Sequence, residues 1–147
     1  MTAMDLPNET KDRVLVVEDE ADLRKTLEFA VRCSGYEVHS ADRGETALRE
    51  LDVFLPDLVL LDLMLPDMSG FEICRNLRGR QDYKQPTVII LSACSEEKDR
   101  AIGFELGADD YVSKPFNVRE LMLRIDARLK GRRVEAISGG DPLQEQD

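Results

Sequence analysis

Three runs of apolar residues punctuate the chain: Val14-Leu15-Val16-Val17, Leu58-Val59-Leu60-Leu61 and Val88-Ile89-Ile90-Leu91. A strand with one wet face alternates polar and apolar residues. An unbroken apolar run instead suits a strand covered on both faces, as in a parallel sheet. Strands are therefore predicted at 13–17, 58–61 and 88–91, with shorter ones at 36–40 and 111–112. Between them the apolar period changes to that of a helix. Leu23, Leu27, Ala30 and Val31 mark a first helix, stopped by Gly35. Ala47, Leu48 and Leu51 mark a second, which must end before Pro56. Ser69-Gly70-Phe71-Glu72 has capping-box spacing and opens a third helix, with Phe71, Cys74 and Leu77 as its inward face. Ser95, followed by Glu96 and Glu97, is placed to cap a fourth helix ending near Gly107. Asn117, with Glu120 three residues on, opens a fifth through Leu121, Ile125 and Leu129.

Five strand–helix units with short connections predict an α/β fold, a doubly wound parallel (βα)5 sheet. The flavodoxin-like strand order 2-1-3-4-5 fits five units and opens a ligand crevice between the first and third strands. The folded domain is expected over 12–130. Residues 1–11 read as a polar extension, and 131–147, rich in Gly, Gln and charge, as a tail or linker.

Composition narrows the function classes. Of 147 residues 42% are hydrophobic, as in a globular protein. No apolar run approaches a membrane span and the N-terminus lacks a signal-peptide core, so a cytoplasmic location is expected. The net charge of −10 argues against nucleic-acid binding by this segment. Lys130, Arg132 and Arg133 read as a helix end complementing its dipole. Cys33, Cys74 and Cys94 have no metal-ligand or disulfide spacing and are expected to pack as small apolar residues in a reducing compartment.

The chemistry gathers at the carboxyl ends of the strands. Asp62 closes the third strand, Glu18 and Asp19 follow the first, Ser92 follows the fourth and Lys114 the fifth. Carboxylates brought together repel one another and raise each other's pKa, which calls for a cation or for protonation. A small, acidic, oxygen-only site suits Mg2+; Ca2+ also takes oxygen ligands, but no EF-hand-like loop is present. Metal, ammonium and hydroxyl together can hold a phosphoryl group, with Asp62 as its nucleophilic acceptor. A haloacid-dehalogenase-type phosphatase would need a second Asp where Met64 stands. A dinucleotide binder would need Gly-x-Gly-x-x-Gly after the first strand, which is absent. The one histidine, His39, lies in a strand-like stretch and not on a long phosphotransfer helix.

Val-Val-Glu18-Asp19-Glu, Leu-Leu-Asp62-Leu-Met-Leu-Pro-Asp-Met-Ser-Gly, Leu-Ser92-Ala and Gly-Ala-Asp-Asp-Tyr111-Val-Ser-Lys114-Pro115-Phe together resemble the receiver domain of bacterial two-component response regulators, with its CheY-like fold. That resemblance implies phosphorylation of Asp62 by a sensor histidine kinase. It implies Mg2+ on Asp19, Asp62 and the Met64 backbone carbonyl, with Glu18 acting through water. It makes Ser92 and Lys114 the phosphoryl-binding residues, Ser92 and Tyr111 a switch pair, and Lys114-Pro115 a cis peptide. A finer resemblance, to the OmpR/PhoB-like winged-helix subclass, implies a homodimer through helix 4, strand 5 and helix 5. Its charges would be Arg100, Asp109, Asp110, Glu120 and Arg124, controlling a transcriptional output. Asp126 departs from the basic residue usual there. The chain then acts by being modified and not as a turnover enzyme. The competing expectation is a stand-alone or degenerate receiver that binds partners without phosphorylation.

Overall fold

The apolar runs form the middle of a five-stranded sheet. The computed structural model describes residues 11–94 and 96–139. In chain order its elements are β1 (Arg13–Val17), α1 (Ala21–Cys33), β2 (Glu37–Ala41), α2 (Gly44–Val53), β3 (Leu58–Asp62), α3 (Gly70–Arg78), β4 (Thr87–Ser92), α4 (Glu97–Glu105), β5 (Asp110–Ser113) and α5 (Val118–Gly139). The sheet order is β2-β1-β3-β4-β5, all pairs parallel, which is the expected 2-1-3-4-5 arrangement. Every residue of β3 and β4 is buried, whereas β2 at the edge alternates between exposed and covered positions. Uninterrupted apolar sequence thus marks the strands with neighbours on all sides.

Successive side chains of a strand point to opposite faces. Leu15, Val17, Val59, Leu61, Val88 and Ile90 pack with Ala47 and Leu51 of α2 and Ile73, Cys74 and Leu77 of α3. Val14, Val16, Leu58, Leu60, Ile89 and Leu91 pack with Leu27 and Val31 of α1 and Leu121, Ile125 and Leu129 of α5. Burial of each Val, Leu or Ile side chain among these is worth about 1.5–3 kcal/mol. On α3 the buried positions are Gly70, Ile73, Cys74 and Leu77, with Phe71 only partly covered. The helical i, i+3, i+4, i+7 stripe starts at Gly70, which the apolar residues alone do not reveal.

Helix ends follow local rules. Gly35 and Gly107 adopt φ of +94° and +106° just past α1 and α4, where a Cβ would be strained. The Ser69 hydroxyl accepts from the Phe71 N–H at 3.0 Å and the Asn117 side chain accepts from the Glu120 N–H at 2.9 Å. No reciprocal bond from the Glu72 carboxylate completes the box at α3 among the described residues. Ser95 lies outside the described residues, and α4 begins after Glu96 without a side-chain cap.

Two expectations are corrected. The composition change at Gly131 does not end α5, which continues to Gly139. Lys130, Arg132 and Arg133 therefore sit inside the helix. Arg132 donates to the Gln85 carbonyl at 3.0 Å and Arg133 pairs with Asp12, so tertiary bonds hold this last stretch. Cys74 is buried and Cys94 half-buried, but Cys33 is exposed, because it falls on the outer face of α1. The outermost residues of the predicted extension and tail, 1–10 and 140–147, lie outside the described residues. Among the described residues no helix is long and apolar enough to cross a membrane.

The edge of the sheet opposite the crevice is fastened by Arg78. Its guanidinium donates to the Gly107 carbonyl at 3.0 and 2.7 Å and to the Pro86 carbonyl at 2.9 Å. It also donates to the Gln85 side chain at 2.8 Å and to Asp109 at 3.0 Å. Asp109 accepts the Val88 N–H as well, at 2.8 Å. Replacing Asp109 by Ala leaves that strand N–H and one guanidinium N–H without their acceptor. We expect a loss of about 1–3 kcal/mol in urea unfolding. An unchanged midpoint would show that this network does not anchor β4.

Candidate functional site

The parallel register sets the ends of β1 and β3 side by side, with Val17 opposite Leu61. Glu18, Asp19 and Asp62 consequently converge, each offering a carboxylate oxygen within 4.8 Å of the others. Glu18 and Asp62 are only 1% and 4% exposed, while Asp19 is open to solvent. Lys114, just past β5, donates from Nζ to Glu18 at 2.9 Å and to Asp62 at 3.3 Å. Glu18 spends its second oxygen on the Glu20 N–H at 3.1 Å. Asp62 accepts the Met64 N–H at 3.2 Å. Ser92 is fully buried at the end of β4, its hydroxyl accepting the Cys94 N–H at 2.9 Å. The structure thus brings Glu18, Asp19, Asp62 and Lys114 into one cluster and places Ser92 at the end of the neighbouring strand. The Lys114–Pro115 peptide is cis.

Burial pushes the Asp62 carboxyl up from its ordinary value, and the negative charge of Glu18 adds to this. The Met64 N–H and Lys114 offset only part of it. Burial alone would lower the Lys114 ammonium, but its bond to Glu18 and the charges of Asp62 and Glu18 hold it above the usual lysine range. One ammonium thus faces three carboxylates. The donors are all oxygen, one ligand is solvent-accessible, and the residual charge is negative. A small hard divalent cation such as Mg2+ fits that set. Glu18 and Asp62 each already accept a bond at both oxygens, whereas Asp19 is open to solvent.

Residues that sequence reading overlooked hold this cluster in place. Arg24 on α1 donates to the backbone carbonyls of Glu18 at 2.9 Å and Asp19 at 3.3 Å, tying down the acidic turn. Asp67 accepts the N–H groups of Gly44 and Glu45 at 2.7 and 2.9 Å, capping α2 from the loop after β3. Those two bonds at a helix N-terminus hold its carboxyl below the usual range. Gly70 is required: a Cβ there would lie 2.5 Å from the Asp62 carbonyl oxygen. A basic residue one turn into α1 was a readable signal for Arg24. The partners of Asp67 lie more than twenty residues away in sequence, and the close approach of Gly70 to the Asp62 backbone depends on a turn that sequence spacing alone does not fix.

Tyr111 points inward and is 2% exposed, its hydroxyl donating to the Cys94 carbonyl. Gly103 of α4 makes room for the ring, since a Cβ there would lie 3.1 Å from it. Arg100 covers the ring at 5.0 Å from its centroid. Arg124 pairs with Asp110 at 3.0 and 2.9 Å, not with Glu120 one turn earlier on its own helix. Arg100, Asp110, Glu120 and Arg124 lie on the α4–β5–α5 elements, but Asp109 is turned toward Arg78. Asp126 accepts from the Tyr36 hydroxyl on the α1 side of α5. Burial and that carboxylate push the Tyr36 hydroxyl well above its ordinary range. His39 stacks on Phe54 with ring centroids 3.8 Å apart, at the sheet edge and away from the cluster.

An acidic crevice with a lysine partner, at the switch point of a 2-1-3-4-5 sheet, defines a CheY-like receiver. Residues 14–126 match the response regulator receiver domain, and the chain belongs to that family. It is related to OmpR/PhoB-family transcriptional regulators. It is 42% identical over 134 residues to the transcriptional regulatory protein GltR of Pseudomonas aeruginosa, covering 91% of this chain and 55% of that protein. DrrB of Thermotoga maritima, an OmpR/PhoB homolog, superposes with a TM-score of 0.74 at 34% identity, over 83% of this chain and 54% of that one. The receiver domain of a LuxO-type repressor protein from Vibrio parahaemolyticus gives a TM-score of 0.81 at 29% identity, over 89% and 99% of the two chains. The chain spans about half the length of the curated relatives it matches.

The raised Asp62 pKa fixes the sign of a pH effect. Between the ordinary value of 3.8 and the raised native value, the native state binds more protons than the unfolded one. Stability of the metal-free protein therefore falls as pH rises through that window. In EDTA, Asp62→Asn is expected to be more stable than the wild type at neutral pH, with the gap closing toward about pH 4. Urea unfolding across pH reads this directly. A wild type more stable than the Asn variant at neutral pH would mean that Lys114 already neutralises the cluster.

Proposed function

We propose that this domain is a phosphorylation-controlled switch, in which a sensor histidine kinase transfers a phosphoryl group to Asp62 with Mg2+. The observation that carries this reading is the buried Asp62 carboxylate, set between Lys114 and the open ligand Asp19. Mg2+ held by Asp19, Asp62 and the Met64 carbonyl would supply positive charge to the transferring oxygens. Lys114 offsets their charge and Ser92 donates a hydrogen bond. A sensor histidine kinase is the expected donor because the chain belongs to the response regulator receiver family.

The output surface is α4–β5–α5. Ser92 at the phosphoryl site and Tyr111 beneath Arg100 are neighbours through Cys94, whose N–H bonds Ser92 and whose carbonyl accepts from Tyr111. A phosphoryl group that draws the Ser92 hydroxyl away changes the bonds around Cys94, and with them the seat of Tyr111 under α4. In the receiver family this chain resembles, phosphorylation is expected to turn Tyr111 inward, and here the ring already lies inward, 2% exposed. The exposed Ile102, with Arg100, Asp110, Glu120 and Arg124, gives the face apolar and charged elements suited to a two-fold homodimer. Asp109 is committed within the chain and contributes less than its charge suggests. Dimerisation would serve a cytoplasmic transcriptional output supplied by a separate DNA-binding region, since this acidic segment is unsuited to binding DNA itself.

Acetyl phosphate with Mg2+ is expected to add one phosphoryl group, mapped to Asp62 by mass spectrometry and lost in Asp62→Asn or with EDTA. Sedimentation with a beryllofluoride mimic should then show a dimer that Arg124→Glu weakens. Modification at another residue would overturn the site. A monomer in both states would overturn the output face while leaving the site standing.

A further inference from the structure

A second polar cleft, of about 500 Å³, lies at the opposite edge of the sheet, between α5 and the loops entering β4 and β5. Arg78, Arg128 and Arg132 line it, against Asp109 and Glu135. The chain as a whole carries a charge of −10, yet here three guanidiniums face two carboxylates. Arg78 and Asp109 neutralise one another in the network already described. That leaves Arg128 and Arg132 against the exposed Glu135. They stand four residues apart on α5, about 6 Å along its axis, a spacing at which like charges destabilise a helix. Each is drawn over the cleft by a single bond to a carbonyl: Arg128 to Asp109 at 2.6 Å, Arg132 to Gln85 at 3.0 Å. Most N–H groups of both forks are left uncommitted. The cleft wall between them is small: Ala127 and Gly131 line it, and a Cβ at Gly131 meets nothing within 4 Å.

We propose that this cleft binds a small molecule carrying a diphosphate group. Two planar forks about one helical turn apart match the oxygens of linked phosphates, which guanidinium binds in pairs. The volume admits more than the phosphates alone. An occupied cleft would tie the last turns of α5 to the loops before β4 and β5. That gives the domain an input independent of Asp62, delivered to the helix leading toward the chain's C-terminus.

The test uses the full chain in EDTA, titrated calorimetrically with inorganic pyrophosphate and separately with adenosine diphosphate, at fixed ionic strength. We expect saturable one-to-one binding in the submillimolar range. It should weaken about tenfold or more in Arg132→Gln and in Arg128→Gln, each of which removes one fork. Ala127→Glu, which breaks no bond in the fold, should abolish it by placing a carboxylate in the cleft. Acetyl phosphate labelling of Asp62 should persist in all three variants. Tighter binding of the nucleotide than of pyrophosphate would show that the remaining volume is used; equal binding would show that the phosphates suffice. Either result supports the site. The proposal fails if no saturation occurs, if Ala127→Glu binds like the wild type, or if Lys114→Met abolishes binding, which would place the anion in the acidic crevice.

Discussion

The structure depends on one electrostatic constraint. Two carboxylates, Glu18 and Asp62, are buried at the ends of adjacent strands, and water cannot screen them. At the separation seen here and an effective dielectric of about 20, such a pair repels by roughly 3–4 kcal/mol. That is a sizeable share of the stability of a domain this size. Lys114 bridges the two and cancels part of the repulsion. Asp19, exposed beside them, restores negative charge where a cation can enter. The cluster therefore keeps a net negative charge, which is compatible with a divalent ion. A phosphoryl group added at Asp62 changes that balance, and the nearest polar groups must answer it.

Hydrogen bonds and close packing tie the acidic side of the site to the backbone. Arg24 fixes the acidic turn through its carbonyls, Asp67 fixes the loop after β3 through the N-terminus of α2, and Gly70 lets α3 begin against the Asp62 backbone. The adaptable part lies on the other side. Cys94 connects Ser92 to Tyr111 through one N–H and one carbonyl, and Tyr111 occupies space that Gly103 of α4 leaves for it. The hydrogen bonds around Asp62 and the short link through Cys94 toward α4 are a route by which a local charge change reaches a surface.

The fold was legible in the sequence because its strands are apolar without interruption and its helices are periodic. The acidic cluster of Glu18, Asp19 and Asp62 was legible because topology converts strand ends into neighbours. What escaped reading were interactions between positions far apart in the chain. Asp67 caps a helix more than twenty residues earlier. Asp109 and Asp126 read as surface charges, yet one holds β4 and the other bonds Tyr36. The stretch from Gly131 reads as a tail or linker, yet α5 continues into it, with Arg132 and Arg133 bonded to Gln85 and Asp12. In each case the local signal was correct as a propensity and was overridden by a tertiary contact.

The central claim is that Lys114 and a divalent cation share the compensation of one buried acidic cluster. A calorimetric Mg2+ titration of Lys114→Met beside the wild type tests it most directly. If the two cations divide the work, removing the ammonium leaves the cluster more negative, and Mg2+ should bind several-fold tighter to the variant. Equal or weaker Mg2+ binding by a folded Lys114→Met protein would contradict the account.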